Sequence, residues 1–150
     1  MPQSLVKMLV HLVFSTKNRA RLITPEIEVE LFGYIHGIVE NNQSKLILAN
    51  GTENHVHLLI SLGKTMTISE LVGDIKRDSS KWIKTKGSEF RDFHWQEGYG
   101  AFSVGQTQVR EVMQYIARQK EHHAQRNFED EFRYFLKKYE IEHDERYVWD

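Results

Sequence analysis

The sequence predicts an α+β fold of the ferredoxin-like or RRM-like kind, an antiparallel sheet with helices packed on it, and three observations carry that prediction. Apolar residues change period along the chain in the order strand, helix, strand, strand, helix, strand, helix, which is the split βαβ pattern. The helical segments carry start signals: Thr24 and Pro25 before one, and Thr67 with Glu70 three residues later before another. The stretch "NHVHLLISL", residues 54–62, alternates so that His55 and His57 share one strand face while Val56, Leu58 and Ile60 share the other.

Taken in order, "KMLVHLVFST" is rich in β-branched and aromatic residues and gives a strand near residues 7–16, followed by the basic loop "KNRAR". Ile27, Leu31, Ile35 and Ile38 then step at helical spacing, predicting a helix over about 25–42. "KLILANGTE" and "HVHLLISL" form an expected antiparallel pair with the histidines opening its second member. Ile68, Leu71, Val72, Ile75, Trp82 and Ile83 make the apolar stripe of a second helix that runs to about residue 85. Its opposite face holds Arg77, Lys81 and Lys84, interleaved with Asp74 and Asp78 at spacings that allow surface pairs. "GYGAFSVG" reads as a short strand, and "TQVREVMQYIARQKEHHAQ" as one continuous helix with Val109, Val112, Met113 and Ile116 inward. "FEDEFRYFLKKY" is a final short helix within an acidic end.

Composition narrows the classes. At 150 residues, with 40% hydrophobic and 27% charged residues, the chain is expected to be one soluble domain, a core of 1–126 with an acidic helical extension, 127–150. Without cysteine there are no disulfides or thiolate metal sites, so a metal would sit on histidine, carboxylate, amide or water. No apolar run approaches the ~20 residues of a membrane span, and the start lacks the pattern of a secretion signal, so the expected location is cytoplasmic with no membrane partner. A net charge of -1 argues against binding polyanions through the overall field, yet residues 1–21 carry four basic residues and no acid, while 129–150 carry eight acids against four bases.

An HxH pair alone fits either a structural role or a metal site. Tyr115 and Gln119 lie about 40° apart on a helical wheel at the margin of an apolar stripe, where a tyrosine can be packed and still reach a cleft. Four segments, however, agree in order and spacing with a known family: the opening strand with "TKNRAR", the "HVHLL" strand, the helix "ISELVGDIKRDSSKWI", and the block "HWQEGYGAFSVGQTQVREVMQYIARQ". Over about residues 7–126 the chain resembles the single-tyrosine HUH transposases of the IS200/IS605 insertion sequences. The resemblance implies an HUH endonuclease fold with His55 and His57 as metal ligands, Tyr115 as nucleophile and Gln119 as a third ligand. It further implies Mg²⁺ or Mn²⁺, no nucleotide cofactor, single-stranded DNA hairpins as substrate, and a homodimer. Asn54 stands where family members often carry an acidic residue.

The expected activity is cleavage and strand transfer of single-stranded DNA through a 5′-phosphotyrosine intermediate. Lys17, Arg19, Arg21, Arg77, Lys81 and Lys84 are the candidate phosphate contacts. Trp95 and Tyr99 are candidates for base stacking or for the core. Two other readings share the fold: a domesticated REP-associated type acting on genomic repeats, and a non-enzymatic single-stranded nucleic-acid-binding module. A two-histidine phosphoesterase would need a second HxT or HxS strand, which the sequence lacks. His122, three residues beyond Gln119, is a possible extra ligand.

Overall fold

The computed structural model describes residues 2–150 and shows the expected antiparallel sheet. Its strands are β1 (Leu9–Ser15), β2 (Lys45–Thr52), β3 (His55–Ser61) and β4 (Gly100–Val104), in the spatial order β2-β3-β1-β4. The two longest helices, α1 (Pro25–Asn41) and α2 (Ile68–Lys84), complete the βαββαβ core. Thr24 accepts a bond from the Ile27 amide and Thr67 one from Glu70, so both start signals work as caps.

Strand alternation sorts the sheet into two buried faces. Leu12 and Phe14 of β1 with Val56, Leu58 and Ile60 of β3 meet the apolar stripes of α1 and α2 in the larger core. Leu9, Val13, Leu59, Phe102 and Val104 point to the other face, where His11, His55 and His57 also lie. Three C-terminal helices cover that second face: α3 (Val109–Ala117), α4 (Gln119–His123) and α5 (Phe128–Lys138). The acidic tail therefore packs on the sheet through Phe128, Phe132, Phe135 and Leu136. Gly100 makes room for it, since a Cβ there would sit 2.8 Å from the Phe132 ring.

One expected element is corrected. The helix predicted as continuous through Tyr115 and Gln119 breaks at Arg118, which leaves helical geometry at φ -101°, ψ 21°. The physical cause is remote in sequence: Asn50 of β2 donates from its amide to the carbonyls of Ile116 (2.9 Å) and Ala117 (3.2 Å). Those carbonyls are thereby satisfied without a continuing helix.

Candidate active site

A two-residue turn, Glu53–Asn54, delivers the chain from β2 into β3 and opens the strand on His55. The Asn54 side-chain oxygen lies 2.8 Å from His55 Nδ1, with Thr52 Oγ1 at 3.0 Å. On His57 the corresponding nitrogen meets another ring, because His11 of the neighbouring strand places Nε2 2.8 Å from His57 Nδ1. Both Nε2 atoms are left facing one point above the sheet. The amide of Asn54 thus supplies to His55 the acceptor that a carboxylate would otherwise provide.

That point is filled by Glu131. On α5 it follows Phe128 by three residues and precedes Phe132 by one, so it occupies a position in the apolar stripe and is carried inward, 4% exposed. Its Oε1 lies 2.8 Å from His57 Nε2 and 3.3 Å from His55 Nε2. Its Oε2 accepts from Gln119 Nε2 at 3.1 Å and from the Tyr115 hydroxyl. Gln119, at the start of α4, also sets Oε1 3.2 Å from His55 Nε2. The break after α3 keeps Tyr115 and Gln119 aimed at one carboxylate.

Burial and this contact set the electrostatics. Desolvation and the Glu131 charge push the Tyr115 phenol well above its ordinary value near 10. Burial works to raise the Glu131 carboxyl, but hydrogen bonds and charge from His55 and His57 outweigh it and hold the group below the usual carboxylate range. Burial lowers His57, partly opposed by Glu131, and lowers His11 well below 6.5 with His57 adding to the effect.

His55, His57 and Glu131 offer donor atoms that lie within 4.8 Å of one another, all buried. Two imidazoles with second nitrogens already bonded, plus a carboxylate, form a donor set that fits a divalent cation. Sequence reasoning placed His55, His57, Tyr115 and Gln119, and the structure brings all four together; it missed Glu131 and His11. An acid inside the stripe Phe128, Phe132, Phe135, Leu136 was the legible signal for the first.

His122 stacks on the Tyr115 ring, centroids 4.5 Å apart, and its Nε2 is buried with no hydrogen-bond partner among the described residues. The candidate phosphate contacts divide. Arg77, Lys81 and Lys84 line a groove of about 400 Å³ with Lys76, His94 and Gln96, on the helix across the sheet from Tyr115. Arg77 is paired with Asp74 (2.9 Å), as the spacing predicts, and with its chain neighbour Asp78 (3.1 Å), which the spacing does not. Lys17 and Arg19 line a separate cavity, where Arg19 donates to the Trp149 carbonyl at 2.8 Å, and Arg21 lies 3.7 Å from Glu53. Trp95 belongs to the core, 7% exposed, its indole bonded to Ser79 at 2.9 Å. Among the described residues no helix is long and apolar enough to cross a membrane.

A family model described as "Transposase IS200 like" matches residues 4–119. No curated protein matches significantly. Among solved structures, a protein of Deinococcus radiodurans R1 provisionally described as a transposase is similar at 22% identity and a TM-score of 0.62, over 79% of this chain and 98% of that one. A REP-associated tyrosine transposase bound to a REP hairpin is similar at 13% identity and the same TM-score of 0.62, over 82% of this chain and 73% of that one.

Proposed function

Since the chain belongs to the IS200-like transposase family, we propose that it cuts and rejoins single-stranded DNA with Tyr115 as its nucleophile. The observation that carries this reading is the convergence of the Tyr115 hydroxyl, both histidines and Gln119 on Glu131. In the proposed reaction the Tyr115 oxygen bonds to the scissile phosphorus, the P–O3′ bond breaks, and a 5′-phosphotyrosine and a free 3′-hydroxyl result. The phenol proton passes by way of Glu131 Oε2, which already accepts from it, to the departing 3′ oxygen, so the carboxylate ends the step ionised as it began. A 3′-hydroxyl from another strand can reverse the step, so rejoining needs no nucleotide cofactor.

Tyrosine needs help at this task. Even an unperturbed pKa of ~10 leaves about one phenol in a thousand ionised at neutral pH, a handicap of roughly 4 kcal/mol, and burial with the Glu131 charge makes it larger for Tyr115. Mg²⁺ or Mn²⁺ held by His55, His57 and Glu131, with Gln119 beside them, would supply Lewis-acid polarisation of the phosphate and stabilise the leaving oxygen. The protein's own share is orientation: Asn54 and Thr52 fix the His55 imidazole, and His122 braces the nucleophile's ring. The protein is proposed to act as a homodimer.

The DNA is proposed to be a hairpin-bearing single strand, supported by the similar REP-associated transposase bound to a REP hairpin. The same likeness favours a second reading, in which the substrate is a genomic repeat rather than the end of a mobile element. Lys17, Arg19, Arg21, Arg77, Lys81 and Lys84 are the proposed phosphate contacts, those on α2 serving DNA away from the scissile bond.

The test is incubation of the protein and its Tyr115→Phe variant with hairpin DNA from the flanks of its own gene, with Mg²⁺ or Mn²⁺. A metal-dependent adduct mapped to Tyr115 and absent from the variant is the expected result. Full cleavage by Tyr115→Phe overturns the assignment.

A further inference from the structure

His11 is a buried histidine on the sheet face that carries His55 and His57, and the proposed chemistry gives it no direct part. It sits on β1, opposite Leu59 in the antiparallel register, so it lies diagonally across from His57, whose direct partner is Val13. Its ring is 2% exposed, 5.0 Å between centroids from His57 and 5.2 Å from Phe135. The polar contact the structure gives it is the 2.8 Å approach of its Nε2 to His57 Nδ1.

A neutral imidazole has one N–H and one lone pair. For His57 to offer its Nε2 lone pair to a cation, its proton must reside on Nδ1, and a buried Nδ1–H needs an acceptor. His11 Nε2 is the atom in contact with that nitrogen; with no cation bound, the 2.8 Å bond from His57 Nε2 to the Glu131 carboxylate puts the proton on Nε2, so cation binding moves it to Nδ1 and turns His11 into the acceptor. His55 has the equivalent arrangement in an unrelated form, with Asn54 Oδ1 at 2.8 Å from its Nδ1. The two ligands are therefore held by two different devices, and the one on His57 reaches it from a strand more than forty residues away in sequence.

Resting on the metal-dependent reading above, we propose that His11 is a positioning residue, accepting the Nδ1–H bond that fixes the tautomer and ring orientation in which His57 binds a divalent cation. It does not touch the cation or the DNA. Outer-shell partners of this kind govern metal affinity by roughly 10- to 100-fold.

The test uses the full chain and measures Mn²⁺ binding by the loss of the free-ion EPR signal, beside circular dichroism to report folding. His11→Phe keeps an aromatic ring against Phe135 but offers no acceptor; His11→Gln can place an oxygen near the depth of the imidazole Nε2. The expected result is Mn²⁺ affinity lowered roughly 10- to 100-fold in His11→Phe and held within a few-fold of wild type in His11→Gln. A His11→Phe protein that folds and binds Mn²⁺ like wild type overturns the proposal, as does a His11→Gln protein as weak as the Phe variant. If His11→Phe does not fold, imidazole ¹⁵N spectra of the wild-type protein with Mg²⁺ decide: a proton on His57 Nδ1 supports the role, and a bare Nδ1 overturns it. Wild-type protein that binds no Mn²⁺ fails differently, since it overturns the metal reading itself and this inference with it.

Discussion

Glu131 ties together every group that could carry the chemistry, and its charge acts on Tyr115, His57 and His11. It is one of two causes, after burial, that keep Tyr115 protonated. Glu131→Gln removes that charge while preserving size, so the phenol should titrate lower than in wild type, read by ultraviolet absorbance as a difference against Tyr115→Phe. An unchanged titration would mean burial alone sets it. The buried imidazoles predict a second effect, on stability in metal-free buffer. His11 and His57 are held below their ordinary value of 6.5, so the unfolded chain takes up protons that the folded one refuses. Stability should be full above about 6.5 and fall as pH drops through the folded values. Glu131 acts in the same sense lower down: its carboxyl is depressed, so its contribution is present above about 4.3 and is lost on further acidification. Melting curves from pH 8 to pH 5 should show a declining midpoint, and a flat profile would contradict the neutral, buried state of these rings.

Among the elements, α5 matters most because it brings Glu131 to the histidines. Phe132, 3% exposed, is wedged over Gly100, so Phe132→Ala should cost about 3–5 kcal/mol by chemical denaturation. Gly100→Val should also loosen α5, by forcing a side chain into the space the Phe132 ring fills. The break at Arg118 depends on Asn50, and Asn50→Ala should destabilise by about 1 kcal/mol while lowering adduct formation on Tyr115. At this scale the sequence was readable where signals were local. Thr24, Pro25 and Thr67 marked their helices, and strand alternation put His55 and His57 on one face. The break was not readable, because the amide that ends α3 belongs to a strand some sixty residues earlier. His11 was hidden for a like reason: only the pairing of β1 with β3 reveals which nitrogen it meets.

For the whole molecule, the order of strands and helices along the chain and the pairing of β2 with β3 were legible in the alternation of periods, whereas the order β2-β3-β1-β4 across the sheet and the burial of its second face rest on contacts between distant segments. The role of the acidic tail was not, since a charge excess describes a surface and says nothing of the one acid turned inward. With a net charge of -1, affinity for DNA must come from local patches. Reversing Arg77 and Lys81 together to glutamate should flatten the dependence of log K on log salt by about 1.4, the loss of two single-strand phosphate contacts. Adduct formation at saturating DNA should persist, because α2 lies across the sheet from Tyr115. Unaltered salt dependence would remove α2 from the DNA path.

Glu131 belongs to the last helix of the fold, and that placement has a consequence for how the protein comes into being. Synthesis runs from the N-terminus, and the four strands can pair, with both imidazoles side by side, before α5 has left the ribosome. The carboxylate reaches the histidines only when that final helix docks. A nascent chain can thus hold a paired sheet before it holds a complete set of site residues, and the proposed site is assembled only once α5 has docked.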